Sequence, residues 1–219
     1  MADLSWLLGR GYADVAALKL VGDHYQLTTR QRTAVRRCAC SDEALAGRQR
    51  RQVEAESLRG GAVLIDGFNI ITTVEAALAG GVLLVGRDGC LRDMASMHGT
   101  YRKVSETAPA AELIGRTLAE LGVAETRWLL DRPVSNSGRL KVVLATLAQR
   151  EGWRWRIELV DSPDAELIAA GGLTVSADSV VLDRCGHWFN LARAVLAMRL
   201  PQARPVDLGA EDSAPRPGK

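Results

Sequence analysis

No stretch of about 18 consecutive apolar residues occurs in the chain, so no membrane-spanning helix is expected. The start, MADLSWLLGRGYAD, lacks a basic region followed by a long apolar one and does not read as a secretory signal. Neither a Gly-x-Gly-x-x-Gly turn nor a Walker loop is present, which argues against dinucleotide or nucleoside triphosphate binding. Histidine is scarce: His24, His98 and His187 stand apart from any clear Ser or Cys partner, so no nucleophilic triad is proposed. Cysteine is scarce too. Cys38, Cys40, Cys90 and Cys185 are irregularly spaced, and neither Cys38-x-Cys40 nor Cys185-x-His187 has the spacing of a standard zinc knuckle. Without secretion these read as free thiols of a cytoplasmic protein. The net charge is only +2, so any nucleic-acid surface must come from local clustering.

What is present is ordinary globular composition, 47% hydrophobic and 25% charged over 219 residues, enough for one medium domain with an appendage. Three zones are expected: a basic helical region over 1–60, an α/β domain over 61–200, and a disordered tail over 201–219. In the first, helices are expected over Leu4–Leu8, Tyr12–Val21, Thr29–Cys38 and Asp42–Leu58. Thr28 or Thr29, and Ser41, are candidate N-caps. Val15, Leu18 and Val21 suggest one buried helix face. In the second, strands are expected over Ala62–Ile65, Val82–Val85, Arg127–Leu130, Trp155–Val160 and Leu173–Val175. Helices are expected over Val74–Leu78, Glu112–Leu121, Gly138–Arg150, Asp164–Ala169, Ser179–Arg184 and Trp188–Met198. Short apolar strands alternating with helices indicate a parallel sheet covered on both faces. Asp88-Gly89 reads as a hairpin turn in an excursion outside that sheet. The Pro-, Ala- and Gly-rich composition motivates the disordered tail.

The chemistry lies at the strand ends. In an open α/β sheet, ligands bind beyond the carboxyl ends of the strands. The first strand ends in Asp66-Gly67-Phe68-Asn69, the next in Asp131, the following one in Asp161 with Asp164 shortly after, and the last in Ser176-Ala177-Asp178. Carboxylates gathered at one edge repel and raise one another's pKa values unless a cation intervenes. Oxygen ligands suit Mg²⁺ or Mn²⁺, which can acidify a water and stabilise charge on a phosphodiester.

Each residue also has a plainer reading. Asp66-Gly67 fits a strand-end turn as well as a ligand with close backbone approach. Asn69 fits a ligand-orienting group or the cap of a helix beginning near Ile70. Asp131 precedes Arg132-Pro133 and fits a helix-entry turn. Asp164 follows Pro163 in a first helical turn, where it complements the dipole. Asp178 fits a ligand or an N-cap. Glu166 is a weaker candidate, and Asp161 and Asp183 read as structural or supporting. Asp88 and Asp93 either join the site or shape their loop. Trp153, Trp155 and Trp188 read as core or interface.

The order Asp-Gly-x-Asn (Asp66 to Asn69), strand-terminal Asp131, helix-opening Asp164 and Ser-x-Asp (Ser176 to Asp178) resembles the NYN branch of the PIN-like nuclease superfamily, over about Ala62 to Arg184. RGY at Arg10, LVG at Leu20, LTxRxR at Leu27 and DRPVSNSG from Asp131 make the full chain resemble the uncharacterised domain-of-unknown-function 434 family. The first resemblance implies a PIN-like parallel-sheet α/β/α sandwich with catalytic Asp66, Asn69, Asp131, Asp164 and Asp178. Asp66, Asp131, Asp164 and Asp178 would hold Mg²⁺ or Mn²⁺. The LLVGRDGCLRD excursion departs from the minimal pattern of that superfamily.

Thr28 to Gln52 carries seven arginines against Asp42 and Glu43. Arg30, Arg32, Arg36 and Arg37 are candidate nucleic-acid contacts, because Arg pairs bidentately with phosphate; the plain alternative is a solvated helix face. The polar run Ser135 to Gly138 reads as a capped loop or an anion site. The expected activity is metal-dependent hydrolysis of phosphodiesters, with RNA the first substrate and DNA the second. A catalytically inactive nucleic-acid-binding protein is the alternative. A phosphatase ranks third, because no Asp-x-Asp pair follows the first strand.

Overall fold

The computed structural model describes residues 1–94 and 105–209. His98 and positions 210–219 of the expected tail lie outside the described residues. The chain opens with four helices, α1 (Ala2–Gly9), α2 (Asp14–His24), α3 (Thr29–Cys38) and α4 (Asp42–Arg51). Thr28 caps α3 in a capping box with Gln31, and Ser41 caps α4 by accepting from the Ala44 N–H. The buried residues of α2 are Ala17, Val21 and Gly22; Ala17 and Val21 pack with Leu4 of α1, and Gly22 lies against Arg32 of α3. Val15 is 74% exposed, so the expected three-residue stripe is not the buried one. The helix expected over Asp42–Leu58 stops at Arg51. Gln52 bridges to Trp188, the Val53 N–H donates to the Trp188 carbonyl, and a short 3-10 turn follows at Ala55–Leu58. A long-range backbone pairing overrides local helical preference there.

The α/β region follows as β1 (Ala62–Asp66), α5 (Gly67–Leu78), β2 (Leu83–Val85), β3 (Leu91–Asp93), α6 (Thr107–Glu120), β4 (Glu125–Asp131), α7 (Ser137–Glu151), β5 (Trp155–Val160), α8 (Pro163–Ala169), β6 (Leu173–Val175), α9 (Ser179–Arg184), β7 (His187–Trp188), α10 (Leu191–Arg199) and β8 (Val206–Asp207). The main sheet is parallel, five-stranded and ordered β5-β4-β1-β6-β7. Helices α5, α6, α7 and α10 pack together on one side of it, and α8 and α9 lie on the other. The protein is therefore an α/β/α sandwich with a helical N-terminal region, as expected. Its central strands β1, β4 and β6 are largely buried, which is why they read as short apolar runs.

Three expectations change in detail. The helix expected from Val74 begins at Gly67. It starts immediately after β1 because Ile70, Ile71 and Val74 bury into the core with Ala110, Ala111 and Ile114 of α6. Trp188 belongs to β7 rather than α10, its indole donating to the Arg48 carbonyl at 2.8 Å. Positions 201–209, read as tail, return to the body: β8 runs parallel to β2. The hairpin through Asp88-Gly89 is present, joining antiparallel β2 and β3 in a separate three-stranded sheet. Among the described residues, no helix is long and apolar enough to cross a membrane.

Candidate functional site

Strand β1 sits where the strand order reverses: the chain next fills β4 and β5 on one side, then β6 and β7 on the other. Such a switch point opens a crevice at the carboxyl ends of the central strands. Asp66 ends β1 at that edge of the sheet, only 6% exposed. One carboxylate oxygen accepts from the Ser176 hydroxyl at 2.8 Å, and the other from the Asn69 N–H at 3.4 Å. Asp66 is thus the N-cap of α5 and a buried acid at the strand end. Burial pushes its carboxyl up to about 7; the Ser176 hydrogen bond opposes this, and the charges of Asp164 and Asp178 add to the rise.

Packing requires glycine at position 67. A Cβ there would lie 3.0 Å from the Leu129 carbonyl oxygen and 2.4 Å from the Leu130 side chain. Asn69 does not cap a helix. Its side-chain oxygen accepts from the Ala177 N–H at 2.9 Å and so fastens α5 to the loop after β6. In that loop the Ser176 hydroxyl also accepts from the Asp178 N–H at 3.0 Å. Asp178 caps α9, accepting from the Val180 and Val181 N–H groups.

Asp131 ends β4, and burial raises its carboxyl pKa. Asp164 stands in the first turn of α8, behind the Ser162 cap; desolvation and the charges of Asp178 and Asp131 raise it. The charges of Asp164 and Asp178 thus act on Asp66, and those of Asp178 and Asp131 on Asp164. Among the described residues, no three His, Cys, Asp or Glu side chains stand together as a ready cation cage. Mg²⁺ needs no such cage, since one or two carboxylates plus water commonly hold it. The donor set, all hard oxygens, fits that ion type.

Other acids are accounted for structurally. Glu166 and Glu158 both accept from Arg127. Asp161 is exposed and faces Arg132 at 3.4 Å. Asp183 receives two guanidinium N–H groups from Arg48. Asp88 shapes its hairpin, whereas Asp93 lines a cleft of about 100 Å³ shared with Asn69 and Asp178.

Two parts of the sequence match families. Residues 55–194 match the family described as Domain of unknown function (DUF5616). The chain belongs to the DUF5616 family. Residues 1–51 match Protein of unknown function (DUF434), so the resemblance expected over the full length covers the N-terminal helices alone. The uncharacterized protein MJ0935 of Methanocaldococcus jannaschii is 29% identical over 138 residues, which is 63% of this chain and 66% of that protein. No solved structure matches. All of Asp66, Asn69, Asp131, Asp164, Ser176 and Asp178 lie in the DUF5616 segment.

The DUF434 segment supplies the arginines, and the structure sorts them. Arg32 pairs with Asp23 at 2.8 Å and Arg36 with Asp14 at 2.6 Å, tying α3 to α2. Arg30 is exposed. Arg37 turns toward β3, donating to the Asp93 carbonyl at 2.6 Å, and lines the cleft beside Asn69 and Asp178. Arg48, which reads in sequence as one more surface charge, is 2% exposed and grips Asp88 of the hairpin at 2.6 Å. Asp88 in turn receives a fork of two N–H groups from Arg92, whose Nε donates to the Ala177 carbonyl at 3.1 Å. Ala177 is thus held on both sides of its peptide, by Asn69 and by Arg92. Arg92 and Ser176 carried no role in the sequence reading. Ser176 stood within the quoted Ser-x-Asp motif, which was the available signal; for Arg92 there was none.

Proposed function

We propose that this DUF5616 protein is a metal-dependent, PIN-like nuclease of the NYN type that hydrolyses phosphodiesters of RNA in the cytoplasm, with DNA the second substrate. The observation that carries the reading is Asp66: a buried carboxylate at the sheet's switch point whose strongest charged neighbours are Asp164 and Asp178, also acidic. A fold retains such mutual repulsion most readily where a cation or a reaction requires it. Asp66, Asp131, Asp164 and Asp178 would hold Mg²⁺ or Mn²⁺. The bound ion supplies charge stabilisation on a phosphodiester and acidifies a water.

The chain's own residues do the rest. Ser176 and the Asn69 N–H fix the direction of the Asp66 carboxylate. Asn69 and Arg92 hold the Ala177 peptide, so Asp178 is presented from a braced loop. Arginines of α3 carry positive charge to a polyanion that the acidic edge alone would repel. The test is cleavage of several labelled RNAs in Mg²⁺ and Mn²⁺, with EDTA as the blank. Asp66→Asn is expected to lower the rate by at least about 100-fold, since even groups that only support metal ligands are typically worth 10–100-fold. Cleavage undiminished in that variant sinks the assignment. Salt-sensitive RNA binding by the wild type without turnover leaves the non-catalytic binding protein instead.

A further inference from the structure

We propose that Arg48 is a positioning residue for Asp178: the last turn of α4, in the DUF434 segment, sets the acid that the DUF5616 segment places after β6. Its consequence for a bound cation rests on the metal reading of that edge. Asp178 is the N-cap of α9, a helix of six residues. A helix so short is not stable by itself and takes its position from the elements it packs against. Those elements are α8 and α4.

Both ends of α9 are held from α4. At the C-terminal end, Arg51 Nη2 donates to the Leu182 and Asp183 carbonyls at 2.9 and 3.1 Å, filling acceptors that the helix itself leaves open. Arg48 Nε and Nη2 close a fork on the Asp183 carboxylate at 2.7 and 2.9 Å. At the N-terminal end the same Nη2 reaches the Ser179 carbonyl at 3.5 Å, while Nη1 donates to Asp88 at 2.6 Å. Asp88 passes the hold to Arg92, whose Nε donates to the Ala177 carbonyl at 3.1 Å. The carbonyls of the two residues flanking Asp178 are thus gripped by two guanidiniums that share one carboxylate. Arg48 has no slack to give: it is 2% exposed, all three guanidinium nitrogens are engaged, and its own carbonyl accepts the Trp188 indole. A lysine would keep the charge, but a single ammonium cannot span Asp88, Asp183 and Ser179 as the planar fork does.

The test uses the full chain. Amide hydrogen exchange in EDTA is followed by NMR at Val181 and Leu182, whose N–H groups donate to the Asp178 side chain and carbonyl, with Ile65 and Leu129 of the central strands as the reference. Arg48→Lys is expected to speed exchange at Val181 and Leu182 by about 10- to 100-fold, the range of one hydrogen bond to a charged group, and at the reference amides by much less. Mn²⁺ alone, titrated calorimetrically, should bind about 10- to 100-fold more weakly, as when a group that orients a metal ligand is lost. Arg51→Ala leaves the Arg48–Asp88 contact in place and serves if Arg48→Lys fails to fold; the same two changes are expected, each smaller. Exchange that rises equally at all four amides marks a fold-wide loss and overturns the inference, as does unchanged exchange at Val181 and Leu182. Unchanged Mn²⁺ affinity in the folded variant, beside a wild type that binds the ion, overturns it too and leaves the metal reading standing. A wild type that takes up no Mn²⁺ removes the metal reading, and exchange in EDTA then decides alone whether α4 sets Asp178.

Discussion

Asp66 and Asp88 are the same residue type at nearly the same burial, 6% and 8% exposed, yet they are treated in opposite ways. Asp88 sits in the hairpin between β2 and β3. It receives three guanidinium N–H groups, from Arg48 and twice from Arg92, at 2.6–2.8 Å, and the Cys90 N–H at 3.1 Å. Burial alone would raise its carboxyl, but Arg92 and Arg48 draw it down to about 2. Asp66 receives one hydroxyl and one peptide N–H, has Asp164 and Asp178 as charged neighbours, and is pushed up to about 7. This chain can neutralise a buried acid fully, and does so where the acid joins elements together. At the end of β1 it does not. The contrast separates a buried carboxylate matched by guanidiniums from one that is not.

The largest effect expected from breaking this contrast is at Asp88. Asp88→Asn leaves Arg48 and Arg92 buried, with Asp183 the remaining acid paired to Arg48. Removing one partner of a buried ionic cluster costs about 3–5 kcal/mol. The sign follows from the shift: the folded carboxyl titrates below its ordinary value, so its stabilisation is present above about pH 4 and is lost as pH falls toward 2. Urea unfolding at pH 7 should show the full deficit, and toward pH 2 it should narrow by roughly 2 kcal/mol, from about 1.4 kcal/mol for each pH unit of displacement. A deficit that does not depend on pH would mean the side chain acts by shape and not by charge.

Asp66→Asn should act in the other direction. Here the folded carboxyl titrates above its ordinary value, so folding penalises the ionised form at high pH, and the penalty disappears as pH falls from 7 to 4. In EDTA at pH 8 the variant should be more stable than wild type by roughly 2–4 kcal/mol, from about 1.4 kcal/mol for each pH unit of displacement. At pH 4 the two should be nearly equal. Excess Mg²⁺ should raise the wild type and not the variant. A destabilised Asp66→Asn at pH 8 would show that the acid is satisfied by its neighbours, and the comparison with Asp88 would collapse.

The sequence made one side of this contrast readable and hid the other. Strand ends carrying Asp66, Asp131 and Asp178 stand out because parallel strands are short apolar runs, and whatever follows them faces the crevice. The Asp88-Gly89 turn is equally local. The ionic cluster is not local at all. Arg48 meets Asp88 and Asp183, 40 and 135 residues away, and looks like a surface charge until the fold brings them together. The end of α4 is hidden for the same reason, since Gln52 and Val53 leave the helix to meet Trp188. Val15 misleads because α2 turns Ala17 and Val21 to α1, a choice made by the partner helix.

The smallest expected effect sharpens the contrast instead of breaking it. The Ser176 hydroxyl is the strongest influence holding the Asp66 carboxyl down against burial. It donates to the ionised carboxylate, so Ser176→Ala should move that carboxyl further above 7, by under one pH unit if the bond contributes about 1 kcal/mol net. The same hydroxyl accepts from the Asp178 N–H, so alanine also loosens the loop that presents Asp178. A stability loss alone would not tell these two roles apart. The carboxyl carbon of Asp66, titrated by NMR in EDTA, does: the direct bond predicts an upward displacement in Ser176→Ala and its reversal in Ser176→Thr, which keeps the hydroxyl. The rising limb of any metal-dependent rate profile should move to higher pH with it, making Asp66 still less like Asp88. A carboxyl that titrates identically in all three proteins would assign Ser176 to the loop and leave the charge state of Asp66 to burial and its acidic neighbours.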